Sequence, residues 1–162
     1  MTERYVHTLW CDDIRLEVGN KPSFMGVYTG RMQLAALPAL LPKLGVYTWI
    51  CSPIERDYST VKIRIVRDDG LVIVEMAPEL SEVRNAEQPQ PPEDATMRVF
   101  AFGVAFGPIE IPVGCRYLKV AAELDGEAVD GPKLRFEVNP AAVAQANPAA
   151  HVAVGSLAPE QG

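Results

Sequence analysis

The side chains that could do chemistry in this sequence are mostly carboxylates. Asp12 and Asp13 stand side by side within residues 11–32, the most distinctive stretch of the chain. Such a pair could bind a hard cation or take part in acid–base work. Adjacent carboxylates in loops more often accept backbone hydrogen bonds and pair with cations, here Arg15 or Lys21. We therefore predict no metal site and no cofactor. The weak candidates for a cation site are Asp12, Asp13, Asp57, Asp125 and Asp130.

Nucleophiles and metal-ligating residues are few. The three cysteines at 11, 51 and 115 are far apart and form no CxxC pair, which favours reduced, half-buried thiols. The two histidines, His7 and His151, cannot complete a zinc site of ordinary composition. The sequence contains no GxSxG elbow, no phosphate-binding P-loop and no HExxH motif. We therefore predict that the protein is not an enzyme and has no catalytic residue.

Period-two alternation of apolar and polar residues predicts the elements that position these side chains. Residues 60–67 and 71–76 alternate on either side of Asp-Asp-Gly at 68–70, which predicts a β-hairpin. Two prolines interrupt the apolar segment 31–42, so we expect a connection there with at most one helical turn. The pattern predicts an all-β fold, an antiparallel β-sandwich of about eight strands, Ig-like or C2-like. The predicted strands are 5–11, 23–29, 44–51, 60–67, 71–76, 97–106, 115–124 and 133–138.

Such a sandwich would sort the carboxylates by position. If each strand crosses the sandwich once, successive loops alternate between its two ends. The loops at 12–22, 52–59, 77–96 and 125–131 would then share one acidic end. Calcium-binding sandwiches of the C2 type place carboxylates on loops at one end in this way. Cation or small-ligand binding at this end is therefore one alternative function.

The stretch from Cys11 to Tyr28 reads Cys-Asp-Asp-Ile-Arg-x-Glu-x-Gly-x-Lys-x-Ser-x-x-Gly-x-Tyr. This pattern resembles the signature of a family of small bacterial and phage-borne proteins that form a domain of unknown function. The similarity continues through residues 41–44 and 114–117, and so covers most of residues 1–138. The resemblance implies a β-sandwich and a phage or prophage association, and it carries over no catalytic residue.

Charge and hydropathy argue against several classes of partner. The 162-residue chain has a net charge of −6, and an acidic surface repels nucleic-acid phosphates and anionic lipids. No apolar run approaches the ~20 residues that span a bilayer. Residues 1–4 do not begin a secretory signal. We therefore expect no nucleic acid and no membrane partner, and a cytoplasmic protein, or a virion component if it is phage-encoded.

Residues 139–162 form a Pro/Ala-rich C-terminal tail outside the predicted sandwich domain, 1–138. Asn-Pro-Ala-Ala occurs at 139–142 and again at 147–150, and a strand-like, uncharged segment follows. The tail is either a disordered terminus or an interaction arm that orders on a partner. The arm residues would be Ala150, His151, Val152, Ala153 and Val154.

The arm hypothesis and the lack of catalytic motifs together favour one class of function. We expect a non-enzymatic protein-interaction or assembly module, with a protein partner or self-association. The alternatives are a cation- or small-ligand-binding sandwich that uses the acidic end and, second, an enzyme of unknown type.

Overall fold

Buried and exposed side chains alternate along the longer strands, as the sequence predicts. The computed structural model describes residues 3–80 and 92–141. Its bounded elements are twelve β-strands and a single-turn 3₁₀ helix, Ile54–Arg56, which confirms the predicted all-β fold. The strands are β1 Tyr5–Cys11, β2 Asp13–Glu17, β3 Lys21–Met25, β4 Arg31–Leu34, β5 Ala39–Leu41, β6 Leu44–Pro53, β7 Val61–Arg67, β8 Val72–Met76, β9 Met97–Phe106, β10 Ile109–Ile111, β11 Tyr117–Leu124 and β12 Glu127–Val138.

Two larger sheets enclose the hydrophobic core. One has the order β1-β6-β9, and the other has the order β4-β12-β11-β7-β8. All of these pairs are antiparallel except β4 and β12, which run parallel. Ile50 of the first sheet and Ile65 and Leu118 of the second are fully buried members of one apolar cluster. The arrangement is consistent with the predicted β-sandwich.

Two small ribbons account for the extra strands. The segment 31–42 contains β4 and β5 instead of a helical turn, and β5 pairs with β10. Both partners are three residues long, which is too short for a period-two signal. The stretch expected to be a turn, 12–22, is largely the hairpin β2–β3, which reverses at Gly19-Asn20, where both residues have positive φ. The strand predicted over 23–29 consequently ends at Met25.

One side of the sandwich is closed by packing between its sheets, and we call it the closed seam. There β1 contacts β12. A Cβ on Gly131 would lie 3.0 Å from Thr8 Oγ1 and 3.1 Å from Val6 Cγ1. Gly131 falls in a β-bulge, because the β11–β12 register shifts between Lys119 and Ala121. The bulge and the missing side chain together let the two strands approach.

Hydrogen bonds from the Arg4 side chain stabilise one end of the closed seam. Its Nη1 atom donates to Leu124 O at 3.1 Å and to Glu127 Oε2 at 2.8 Å. Its Nη2 atom donates to the carbonyl oxygens of Arg56 and Asp57, at 2.9 and 3.2 Å. The residue just before β1 is thereby tied to both the β6–β7 connection and the β11–β12 turn.

The opposite side, between β8 and β9, is the open seam. Among the described strands, each of these two lies at the edge of its own sheet. Phe102, Val104 and Phe106 point from β9 toward the core, yet they are only partly buried. The described part of the chain therefore leaves apolar surface uncovered along this side.

Two further sequence predictions concern chain segments and membranes. No helix in residues 3–80 and 92–141 is long and apolar enough to cross a membrane. The last strand ends at Val138. Most of the predicted tail, from 142 onward, and the centre of the predicted linker 77–96 lie outside the described residues.

Candidate functional site

The two ends of the sandwich separate the candidate carboxylates. In β1, Tyr5 lies opposite Cys51 and Cys11 lies opposite Gly45. The loop that follows Cys11 is therefore at the end where β6 begins, whereas the 52–59 loop is at the end where β6 finishes. The prediction that 12–22 shares an end with 52–59 and 125–131 is wrong. Because residues 13–25 form a hairpin instead of the predicted loop 12–22 and crossing strand 23–29, the alternation of ends is shifted.

Asp12 and Asp13 make internal contacts at their end. The Tyr28 hydroxyl donates to Asp12, and the Asp12 carboxylate packs against Gly26, which has a φ of +65°. Burial and the hydrogen bond to Asp12 raise the pKa of Tyr28 above its usual range. Asp13 accepts from Lys43, and this contact lowers the pKa of Asp13. Both carboxylates hold the β2–β3 hairpin in place.

The remaining aspartates also have protein donors. Asp125 accepts from the Ser59 N–H at 3.0 Å and from the Thr60 N–H at 2.8 Å, and these bonds lower its pKa, the Thr60 bond most. Asp57 pairs with Arg98 at 3.2 Å, and Asp130 pairs with Lys119 at 2.6 Å. The structure brings Asp57 and Asp125 to one end, but each with separate donors. In the described ranges, no three His, Cys, Asp or Glu side chains form a group suited to a metal ion.

The thiols and the one described histidine do not form a reactive centre. Cys11, Cys51 and Cys115 are free and buried, more deeply than expected. Burial, followed by the hydrogen bond to Asp68, raises the pKa of the Cys115 thiol to about 11. A thiol of this kind is a poor nucleophile at neutral pH. His7 lies on the exposed face of β1, with its ring 5.0 Å from that of Tyr5.

The outer faces of the two sheets differ in character. On the five-stranded sheet, Arg64 pairs with Glu75 at 2.7 Å and with Glu123 at 3.4 Å, an ordinary solvated ion-pair cluster. On the three-stranded sheet, the Phe24 ring of the hairpin packs 5.0 Å from Tyr47, and Tyr47 lies 4.8 Å from Trp49. The β2–β3 hairpin therefore already covers part of the aromatic face.

The open seam carries the best candidate for a binding site. An apolar groove of about 610 Å³ runs between the end of β8 and the middle of β9. None of the side chains that line it titrates, so it offers no acid, base or nucleophile. The lining residues are Ile63, Met76, Ala77, Pro78, Phe100, Ala101, Phe102 and Gly103.

Backbone groups of β9 face the free side of this groove. Pro53 lies opposite Met97 and has no N–H, so that pair is not hydrogen-bonded. The next pair is hydrogen-bonded, because the Ile54 N–H donates to Thr96 O at 3.1 Å. Antiparallel pairing alternates between these two kinds, and the β6–β9 register is continuous. The residues of β9 that consequently turn their N–H and C=O groups away from β6 are Met97, Val99, Ala101, Gly103 and Ala105.

Part of this groove could be read from the sequence. The alternating stripe of β9, with Phe100 and Phe102 on the core face, was expected. No local pattern predicts that β9 lies at the edge of its sheet, because strand order depends on long-range pairing. The predicted interaction residues 150–154 lie outside the described residues, so the structure does not place them.

Comparison with protein-family models, with curated proteins and with solved structures found no match for this chain. The proposals below consequently depend on the geometry of the open seam.

Proposed function

We propose that this protein is a non-enzymatic interaction module that binds an extended segment of a protein chain along β9. One observation supports the proposal: no described strand pairs with the outer edge of the ten-residue strand β9, which lies beside an apolar groove. An added strand gains affinity from main-chain hydrogen bonds, and pockets for alternate side chains give specificity. The open seam offers both features.

The contribution of backbone hydrogen bonds to the binding free energy can be estimated bond by bond. Five residues of β9 direct their N–H and C=O groups outward, as derived from the β6–β9 register, and no described strand pairs with them. Each new intermolecular hydrogen bond contributes roughly 0.5–1.5 kcal/mol net. Burial of apolar groove surface adds roughly 25 cal/mol per Å². A short strand of small apolar residues therefore meets the chemistry of the groove, whereas a charged segment would bury charges without partners.

The other functions considered from the sequence have less support. A cation site at the acidic end would need carboxylates that are not already engaged, whereas Asp125 accepts three hydrogen bonds from Ser59 and Thr60 through Oδ1. The Ig-like or C2-like type and the phage association stay predictions. The strand-binding proposal requires neither of them.

Peptide binding to a matched pair of β9 variants tests the proposal. Ala101→Pro removes one outward N–H without breaking the bonds to β6, since proline is tolerated where the N–H faces away from the sheet. Ala101→Thr keeps that N–H at the same position and suits a strand. We expect uncharged ten-residue peptides from an immobilised random array to bind the wild type and Ala101→Thr, and Ala101→Pro at least tenfold more weakly.

Amide hydrogen exchange supplies the second readout. Binding should slow exchange at Val99, Ala101, Gly103 and Ala105, because these amides acquire partners. Two results would refute the proposal: no peptide in the array binds, or binding is equally strong to both variants.

A further inference from the structure

The chain segments outside the described residues include a candidate occupant of the groove. We infer that it is residues 150–154 of a second copy of this chain, which add to β9 as a strand. This inference depends on the strand-binding function proposed above, and it names the partner.

Charge and proline content select this segment. Residues 149–158 form a run of ten without proline, between Pro148 and Pro159, and the run contains no Asp, Glu, Lys or Arg. The other long segment outside the described residues, 81–91, contains Glu82, Arg84 and Glu87 and ends in prolines. A proline cannot donate to a strand ladder, and an uncompensated charge is costly in an apolar groove. Only the C-terminal run matches the groove in both respects.

Side-chain size also matches. Alternation along the segment puts Ala150, Val152 and Val154 on one face and His151 and Ala153 on the other. The first face carries only small aliphatic groups, which suit a groove bordered by Phe100 and Phe102. On the same alternation, His151 would lie on the outer face of the extended sheet.

The described chain ends at the edge of the five-stranded sheet opposite its own groove, so self-closure would require residues 139–149 to reach across the whole width of that sheet. Val138 lies beside Leu34 of β4, and the Asn139 N–H donates to Leu34 O at 2.8 Å. The strands β4 and β8 are the two opposite edges of the five-stranded sheet, about 19 Å apart for four strand spacings. The chain therefore leaves the sandwich on the side away from its own groove.

Complementation between two defective full-length chains tests the inference. Val152→Asp places a charge in the segment and leaves the groove intact, whereas Ala101→Pro impairs the groove and leaves the segment intact. We expect the wild type to be dimeric or larger by light scattering, each variant alone to be monomeric, and their equimolar mixture to regain a dimer. Gln161→Asp adds the same charge outside the run and should behave as the wild type.

Several results would overturn the inference. These are a wild type that is monomeric at every concentration, a mixture that stays monomeric, or variants that keep the wild-type mass. If array peptides nevertheless bind β9, only the identity of the occupant is wrong; if they also fail, the proposed function is wrong. Val99→Pro replaces Ala101→Pro if the latter loses the native far-UV spectrum.

Discussion

The closed seam and the open seam join the same two sheets in opposite ways. At the closed seam, β1 and β12 approach so closely that a single Cβ at Gly131 would touch two side chains of β1. At the open seam, β8 and β9 leave an apolar groove of about 610 Å³. The β12 strand is twelve residues long and carries a bulge, whereas β8 is only five residues long. A long, bulged strand thus lies at the closed side of this sandwich, and a short strand lies at the side with the groove.

The largest expected effect comes from truncating one apolar side chain near each seam. Leu134 of β12 is fully buried, so Leu134→Ala should lower the free energy of unfolding by roughly 2–5 kcal/mol. Phe102 faces the groove and is only partly buried. Phe102→Ala should therefore lower the free energy of unfolding by less than Leu134→Ala does, and the difference should be about 1 kcal/mol or more. Chemical denaturation measures both. The reverse order would mean that the groove is already filled in the isolated chain.

A smaller effect is expected from filling the space in the closed seam. A Cβ at position 131 would lie 3.0 Å from Thr8 Oγ1, 3.1 Å from Val6 Cγ1 and 3.2 Å from the Val120 carbonyl oxygen, so these atoms must shift by a few tenths of an ångström. Gly131→Ala should therefore destabilise the protein by about 1–3 kcal/mol, as overpacking does. Asp130→Ala, one residue earlier, removes only an exposed ion pair with Lys119 and should cost less than about 1 kcal/mol. Thermal unfolding of the two variants compares them. Equal melting temperatures would show that the seam is not tightly packed.

The smallest effect concerns pH at the turn that leads into β12. Asp125 has φ +49°, a conformation that asparagine also tolerates, so Asp125→Asn changes mainly the charge. The folded-state pKa of Asp125 is lowered, so its stabilisation is present above the unfolded pKa of about 3.9 and is lost as the pH falls through the folded pKa. The wild type should be more stable than Asp125→Asn at pH 7, and the gap should shrink below pH 4. A gap that is independent of pH in denaturation curves would contradict this.

Local patterns in the sequence predicted the strands better than their arrangement. The β7–β8 hairpin was predicted from Asp-Asp-Gly at 68–70 and is confirmed, because a turn with Gly70 at φ +88° is encoded within a few residues. Gly19-Asn20 is a comparable turn pattern, but the prediction places it within one long loop, 12–22. The prediction consequently places Asp12 and Asp13 at the wrong end of the sandwich.

The groove could not be predicted from the sequence, for a different reason. Its walls come from β8 and β9, whose positions at the sheet edges depend on pairings between strands that are distant in sequence. In the parallel pairing of β4 with β12, Arg31 lies opposite Arg135. No local sequence pattern predicts this pairing. The inward stripe of β9 was correctly predicted, but whether another strand covers it depends on the completed topology.

The Arg4 contacts have a consequence for the order in which the protein can be completed during synthesis. Arg4 and Leu124 are 120 positions apart, so during synthesis these bonds cannot form until β11 has emerged from the ribosome. Contacts between residues so distant in sequence slow folding. Until the β11–β12 turn is available, β1 lacks its neighbour at the closed seam, and the nascent chain exposes unpaired strand edges that favour misassembly. A stall in translation before residue 124 should therefore be more harmful than one after residue 138.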